Sequence, residues 1–169
     1  MTGNRLLVMG GSGFIGRHLL ARLSDEGHHV TALVRSRQSA ERLASFSIDT
    51  VVVDPSSDRE LASCFDQQDA AINLVGILHE TPSNTFEAVH EELPLRLLRH
   101  CQTAGVLQYI HMSALSASAE RGPSRYLYSR GKGEDAVHQQ GTEVAVTSLR
   151  PSIVFGPNDH FFFSFAAML

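Results

Sequence analysis

The sequence predicts an α/β fold with a doubly wound parallel sheet, and three of its features support that prediction. Short apolar runs alternate with amphipathic stretches along the whole chain, which is the pattern of strands joined by crossover helices. The run at residues 70–75 is almost continuously apolar, as expected of a strand covered on both faces. A glycine-rich turn at residues 10–16 separates the first apolar run from the first amphipathic stretch.

The chain contains six strand-like runs and five helical patterns. The predicted strands are 5–9, 29–34, 50–53, 69–75, 107–112 and 144–149, and the predicted helices are 14–26, 38–46, 57–65, 84–104 and 124–140. Ser57 and Glu60 have the spacing of a capping box. Gly27 and Gly105 stand where helices should end. These elements predict one domain, residues 1–157.

Composition narrows the function classes. A chain of 169 residues with 43% apolar residues and a formal charge of −4 gives no electrostatic reason to expect nucleic acid or an anionic membrane as partner. The first strand begins almost at once, which leaves no room for a signal peptide, and no apolar run reaches the length of a membrane span. The cysteines Cys64 and Cys101 lack metal-ligand spacing, as do the histidines. We therefore expect a cytoplasmic protein without a metal.

The end of the sequence is unusual. Residues 161–169 are almost all apolar and include four phenylalanines, a surface that should pack under further structure. Two explanations compete: residues 158–169 begin a C-terminal substrate portion that is missing, or they bury themselves in a partner protein. We favour the first explanation.

The glycine-rich turn indicates a site for phosphates. Gly10, Gly13 and Gly16 lie three positions apart, between a strand and a helix. A tight turn, close backbone approach to a pyrophosphate and a helix lying flat on the sheet each require a residue without Cβ. The helix N-terminus then presents free N–H groups to the phosphates. Ser12, Phe14 and Ile15 are expected to supply neighbouring backbone contacts.

The end of the second predicted strand bears on the choice of cofactor. A dinucleotide fold usually places an acidic residue here to bind the adenosine ribose, but this chain has Arg35, followed by Ser36 and Arg37. A guanidinium can pair with a 2′-phosphate. The sequence therefore favours NADP(H) over NAD(H), with NAD still possible and a solvated basic loop as the alternative.

Two further strand ends carry candidate contacts. Asp54 follows the third strand, where it could accept a hydrogen bond from the adenine amino group or serve as a turn residue before the next helix. Leu74 and Gly76 follow the fourth strand, where we expect them to lie beneath the nicotinamide and its ribose. An ordinary turn that ends the strand is the alternative for Gly76.

The fifth and sixth strands deliver Ser113 and Pro151 to the same sheet edge, where ligands bind in such folds. At this point the chain resembles the short-chain dehydrogenase/reductase superfamily, in its extended or atypical branch. It is most similar there to bacterial relatives of the Rossmann-fold accessory subunit of respiratory complex I. The resemblance spans nearly the whole chain and rests on residues 10–18, 73–78, 85–90 and 149–159. It implies an NAD(P)-binding Rossmann domain.

The resemblance also implies a catalytic Tyr-x-x-x-Lys pair on the helix after the fifth strand. Tyr128 and Lys132 have the literal spacing, whereas Tyr126 and Arg130 have the flanking residues of the family. We favour Tyr126 and Arg130, with arginine in the place of lysine. A third possibility is that neither pair catalyses a reaction.

The family's catalytic hydroxyl is also displaced, because Ser113 lies one position before the expected place and Ala114 occupies it.

The sequence and the resemblance together leave two functions for this chain. The first is an NAD(P)-dependent oxidoreductase, epimerase or dehydratase acting on a sugar nucleotide or similar carbonyl compound. The second is a non-catalytic NADP(H)-binding accessory subunit, peripheral to a complex I-like assembly and docked through protein surfaces such as the apolar C-terminal end.

Overall fold

The computed structural model describes residues 3–157 and Asp159. Six strands form one parallel sheet: β1 (Arg5–Met9), β2 (His29–Val34), β3 (Asp49–Val52), β4 (Ala70–Asn73), β5 (Gln108–Met112) and β6 (Ala145–Leu149). Five α-helices connect them: α1 (Phe14–Asp25), α2 (Arg37–Glu41), α3 (Asp58–Phe65), α4 (Leu93–Ala104) and α5 (Arg125–Gln140). A π-helical segment, Glu87–Glu92, runs directly into α4.

The strand order is β3-β2-β1-β4-β5-β6, so the chain winds outward from β1 in both directions. Met9 pairs with Leu33 of β2 on one side and with Asn73 of β4 on the other. The carboxyl end of β1 is therefore the point where the winding direction changes, and a crevice opens outside it. The predicted doubly wound α/β fold is confirmed.

Two apolar clusters cover the two faces of the sheet. One joins the sheet to α3, α4 and α5 through residues such as Leu61, Leu98 and Val137. The other joins it to α1 through Leu20 and to the turn after α2 through Leu43. Burial on both faces explains the continuously apolar β4, whose four residues are all buried.

Three local predictions differ from the structure. The fourth strand ends at Asn73, because the Asn73 side chain accepts a hydrogen bond from the backbone N–H of Val75 at 3.0 Å and so removes that group from the sheet. The second helix ends at Glu41 and is followed by turns, not by helix as far as residue 46. The capping box is half formed, because Glu60 accepts from the Asp54 N–H at 2.8 Å instead of from Ser57.

The predicted helix ends are confirmed. Gly27 and Gly105 have φ angles of +79° and +71°, in the left-handed region that glycine adopts without strain. Of the predicted C-terminal region 158–169, only Asp159 falls within the described residues.

Candidate functional site

The glycine turn is packed too closely for side chains at two of its positions. A Cβ on Gly16 would lie 2.4 Å from the Gly10 carbonyl oxygen, so α1 touches the turn backbone directly. Gly10 has a φ of +81°, and a Cβ there would lie 2.9 Å from the Leu74 carbonyl carbon. These contacts bring the ends of β1 and β4 together at the base of the crevice.

Gly13 is different. It has an extended backbone (φ −76°, ψ 178°) directly before α1, and a Cβ on it would meet only the Gly10 carbonyl oxygen, at 3.3 Å. The protein itself does not require glycine here. The exposed backbone of Gly13 at the start of α1 instead leaves the first helical N–H groups open to an anion.

The residues around Gly13 also face the crevice. Ser12 is half-buried within the turn. Phe14 and Ile15 begin α1, and both line the cleft described below. The Phe14 ring packs against the edge of His18 at 5.2 Å between centroids, and His18 Nε2 lies 3.1 Å from the Pro157 carbonyl oxygen. The segment after β6 is thereby held against α1.

On the β2 side of the turn, Arg35 is exposed and directly follows β2. Among the described residues, no hydrogen bond or ion pair holds its guanidinium. Asp54 follows β3 and accepts hydrogen bonds from the Ser56 N–H (2.9 Å) and hydroxyl (2.7 Å). These bonds hold the pKa of Asp54 below its usual value. Asp54 therefore acts as the turn residue that the sequence allows, and it does so through Oδ1, one of its two carboxylate oxygens.

On the β4 side, a cleft of about 610 Å³ runs between the glycine turn and α5. It collects most of the candidate residues that the sequence assigns to the nicotinamide half of a dinucleotide or to catalysis. Those that line it are Phe14, Ile15, Leu74, Gly76, Ser113, Tyr126, Arg130 and Pro151. Tyr128 and Lys132 are not among its lining residues.

Arg130 lies across the carboxyl ends of two strands. Only 5% of it is exposed, and its Nη1 donates to the carbonyl oxygens of Met112 (3.0 Å) and Val75 (3.2 Å). A Cβ on Gly76 would overlap the guanidinium, which explains why glycine stands at that position. Arg130 therefore ties β4 to β5 and places a positive charge at the cleft wall.

Tyr126 lies one turn before Arg130, with the guanidinium carbon 5.6 Å from the centre of its ring. The edge of its ring meets His90, at 5.5 Å between centroids. His90 is fully buried: Nε2 accepts from the Ile77 N–H at 3.1 Å, and Nδ1 lies 2.9 Å from the Ser129 hydroxyl. Because Ser129 donates to the Tyr126 carbonyl oxygen, the bonds fit a neutral imidazole that carries its proton on Nδ1.

Tyr128 and Lys132 lie on another face of α5. The Tyr128 side chain is 40% exposed. Lys132 Nζ lies 3.4 Å from Glu91 and 5.1 Å from the centre of the Tyr128 ring, and the nearby Glu91 carboxylate raises the pKa of Lys132. The two tyrosines thus differ in surroundings, and only Tyr126 is positioned to meet a ligand in the cleft.

The two serines after β5 also differ. Ser113 is 2% exposed and its hydroxyl is buried, although the residue borders the cleft. Ser116 is exposed, lines the cleft and has a φ of +65°. A left-handed conformation at a residue with a side chain is uncommon and costs free energy. The loop after β5 therefore places the exposed Ser116 at the cleft, whereas the hydroxyl of Ser113 is buried.

A family model for the NAD dependent epimerase/dehydratase family matches residues 6–167. The chain belongs to this family. It is similar to the Arabidopsis thaliana mitochondrial "NADH dehydrogenase [ubiquinone] 1 alpha subcomplex subunit 9", with 28% identity over 158 residues, which cover 90% of this chain and 39% of that protein. It is also similar to the Photosystem II assembly factor Ycf39 of Synechocystis, with 32% identity over 114 residues, which cover 68% of this chain and 35% of the relative.

A third similar protein is the Caulobacter vibrioides ceramide reductase, 26% identical over 90% of this chain and 47% of that protein. The chain thus spans less than half the length of these curated relatives. Among solved structures, MoeE5 in complex with UDP-glucose and NAD matches with a TM-score of 0.78 and 25% identity, over 95% of this chain and 59% of the other. The structure of gox2253 shares the fold, with a TM-score of 0.82 and 21% identity, over 93% of this chain and 54% of the other.

Within residues 3–157 and Asp159, no helix is long and apolar enough to cross a membrane. No group of three or more His, Cys, Asp or Glu side chains in the same residues could hold a metal ion.

Sequence reasoning missed how tightly this family member packs α5. A Cβ on Gly131 would lie 2.2 Å from the Ser118 carbonyl carbon, and one on Gly133 would overlap the His90 carbonyl oxygen. These close approaches position Tyr126 and Arg130 on the cleft side. A signal was present, because each glycine in a helix interior costs about 1 kcal/mol relative to alanine. Two glycines in one helix indicate backbone contacts that compensate for that cost.

Proposed function

We propose that this chain binds NADP(H) along the carboxyl edge of its sheet. The observation that carries the proposal is the glycine turn, where Gly10 and Gly16 leave no room for Cβ atoms and Gly13 leaves the start of α1 open. The family match and the NAD-bound MoeE5 structure support a nicotinamide dinucleotide. The direct test is titration of the purified chain with NADPH and with NADH, followed by nicotinamide fluorescence.

The strand order supports a place for each half of the ligand. With the pyrophosphate at the glycine turn, the adenosine half extends over β2 and β3, toward Arg35 and Asp54. The nicotinamide half extends over β4 and β5, into the cleft with Leu74, Gly76 and Pro151. Arg35 is exposed and makes no ion pair among the described residues, so it is available for a 2′-phosphate.

As an enzyme, the protein would be an oxidoreductase, epimerase or dehydratase in which Tyr126 is the general acid–base group. The bound nucleotide would supply or accept hydride. Tyr126 would hold the substrate oxygen and exchange its proton, beside the Arg130 guanidinium, whose carbon lies 5.6 Å from the centre of the Tyr126 ring. The apolar wall of the cleft, with Phe14, Ile15 and Leu74, would limit water around that oxygen.

A second candidate is a non-catalytic accessory subunit that holds NADP(H) within a respiratory assembly. Two observations favour it. The Arg130 guanidinium donates to two backbone carbonyl groups, so the residue at the lysine position is engaged by the fold. The Ser113 hydroxyl is buried, and Ala114 occupies the place of the family's catalytic hydroxyl. The similarity to a subunit of the mitochondrial NADH dehydrogenase agrees with this candidate. Tight NADPH binding without turnover of any carbonyl or sugar-nucleotide substrate would identify it.

Replacing Arg35 tests the preference for NADP(H). We expect Arg35→Ala to weaken NADPH binding by about 10–100-fold, since a charge-assisted hydrogen bond to the 2′-phosphate contributes about 1.5–3 kcal/mol. NADH affinity should change little. The matched control is Arg42→Ala, which removes another exposed arginine just after α2 and should leave both affinities unchanged. Equal losses for the two nucleotides would show that Arg35 does not contact the phosphate.

Replacing Tyr126 and Tyr128 in turn tests which of the two tyrosines catalyses the reaction. In a preparation that turns over a carbonyl or sugar-nucleotide substrate, we expect Tyr126→Phe to lower kcat by about 100-fold or more. Tyr128→Phe, the matched control on the exposed face of the same helix, should keep kcat. Nicotinamide absorbance follows the turnover, and fluorescence titration checks that NADPH still binds. The reverse pattern would assign catalysis to Tyr128 and Lys132.

A further inference from the structure

Arg130 is a buried cation without a carboxylate partner among the described residues. Three acidic side chains near α5 are each paired with another cation. Glu80 meets Arg125 at 2.8 Å, Glu91 meets Lys132 at 3.4 Å, and Glu134 meets Arg150 at 2.9 Å. What Arg130 itself contacts is two carbonyl oxygens and the Tyr126 ring, all of them uncharged. Its full positive charge therefore remains at the cleft wall.

That charge is fixed in both place and protonation state. The side chain is 95% buried, since 5% is exposed, and Gly76 and two strand ends confine the guanidinium. An arginine does not lose its proton in proteins, unlike the lysine that the family usually carries here. The charge is also felt by its neighbours: the pKa of His90 and the pKa of His111 are lowered, first by burial and then by the Arg130 charge.

We infer that Arg130 makes the cleft discriminate between the redox states of the nicotinamide and hold the reduced nucleotide more tightly than the oxidised one. This inference rests on the proposed function, which places the nicotinamide in the cleft beside Arg130. The oxidised ring carries a positive charge and the reduced ring carries none. A like charge in a site of low dielectric constant repels the first and leaves the second unaffected.

The discrimination has a thermodynamic consequence. If NADPH binds more tightly than NADP⁺, the reduction potential of the bound couple rises, by about 30 mV for each tenfold ratio of dissociation constants. The chain would then retain reducing equivalents and release the nucleotide once it is oxidised. That behaviour suits an enzyme that consumes NADPH, and equally a subunit that senses whether the pool is reduced.

The experiment compares dissociation constants for NADPH, NADP⁺ and 2′-phosphoadenosine 5′-diphosphate, a fragment that lacks the nicotinamide. Calorimetry measures all three dissociation constants by the same method and does not require a fluorescent ligand. For the wild-type chain we expect NADPH to bind about tenfold or more tightly than NADP⁺. Arg130→Gln should bring the ratio close to one, whereas Arg130→Lys, which keeps the charge, should preserve it. Arg22→Gln removes an exposed cation on α1 (74% exposed) and should change neither constant.

Each outcome is decisive. Equal binding of the two nucleotides by the wild-type chain overturns the inference, even if Arg130→Gln fails to fold, and so does an unchanged ratio in a folded Arg130→Gln variant. In both cases binding of the fragment would still support the proposed function. Failure of the wild-type chain to bind any of the three ligands would overturn the proposed function and this inference together.

Discussion

Gly13→Val is expected to abolish NADPH binding while the protein remains folded. The backbone at Gly13 is extended, a conformation that valine adopts freely, and the nearest atom to a new Cβ would be the Gly10 carbonyl oxygen at 3.3 Å. The branched side chain would therefore cost the free fold little. It would instead fill the space above the first N–H groups of α1, where we place the pyrophosphate.

The measurement pairs fluorescence titration with thermal unfolding. We expect the affinity for NADPH to fall about 100-fold or more, since the phosphates lose several hydrogen bonds to charged oxygens. The melting temperature of Gly13→Val should change only slightly. The control, Gly27→Ala, should show the opposite pattern: it strains a φ of +79° far from the cleft, so it should lower the melting temperature and leave NADPH binding unchanged. NADPH affinity retained in Gly13→Val would show that the pyrophosphate does not lie at this turn.

The glycine turn could be predicted from the sequence because most of its demands are local. Gly10, Gly13 and Gly16 lie between a strand and a helix, Gly10 has a positive φ, and a Cβ on Gly16 would meet the backbone of Gly10 and Gly11. Only the approach of Gly10 to Leu74 joins distant parts of the chain. The alternation of strand-like and helical segments likewise predicts the doubly wound sheet, since crossover connections have one favoured hand. The sequence therefore predicts a phosphate site at the turn after β1, and the strand order that opens a crevice there comes from the structure.

The orientation of α5 is a different kind of property. Tyr126 and Tyr128 both satisfy a local spacing, and what selects one is the approach of Gly131 and Gly133 to the distant backbones of Ser118 and His90. The hydrogen-bond partners of Arg130 are also distant, since Met112 and Val75 lie 18 and 55 positions away. Those of His90, Ile77 and Ser129, lie 13 and 39 positions away. No local pattern encodes such contacts, so the sequence favours Tyr126 through its flanking residues alone and keeps Tyr128 as an alternative.

The strand ends show the same division. Asn73 ends β4 early because its own side chain captures a nearby N–H group, a local effect that apolar periodicity does not reveal. The buried hydroxyl of Ser113 depends on its position under α5. The exposed Ser116 depends on a loop conformation with positive φ. A prediction of site chemistry from residue type therefore fails where a neighbouring element decides which atom is accessible.

Acid is expected to destabilise the protein above the range in which its carboxylates titrate. Burial, reinforced by the charges of Arg130 and His111, lowers the pKa of His90 from 6.5 to about 3. Burial and the Arg130 charge lower the pKa of His111 to about 4. Both histidines are therefore neutral in the folded protein at pH 5, whereas in the unfolded chain they take up protons. Their contribution to stability is complete above pH 6.5 and is lost as the pH falls toward 4 and 3.

The expected loss is about 1–2 kcal/mol for each histidine between pH 7 and pH 5. Urea denaturation at the two pH values measures it. His90→Gln cannot take up the proton, so it should remove about half of the combined loss from the two histidines between pH 7 and pH 5. This holds whatever the substitution does to the stability at pH 7. His29→Gln, at an exposed position on β2, should leave the loss unchanged. An equal decrease in wild type and His90→Gln would mean that His90 does not resist protonation.

His90 also connects this pH dependence to the cleft. Its Nε2 accepts from the N–H of Ile77, which lines the cleft, and only a neutral ring can accept that bond. In the folded protein the ring stays neutral between pH 7 and pH 5, because its pKa is lowered to about 3. We therefore expect the NADPH affinity of the wild-type chain and of His90→Gln to change in parallel from pH 7 to pH 5, even though the stability of the wild-type chain falls. A loss of affinity in wild type that His90→Gln does not share would mean that folded His90 takes up a proton in this range.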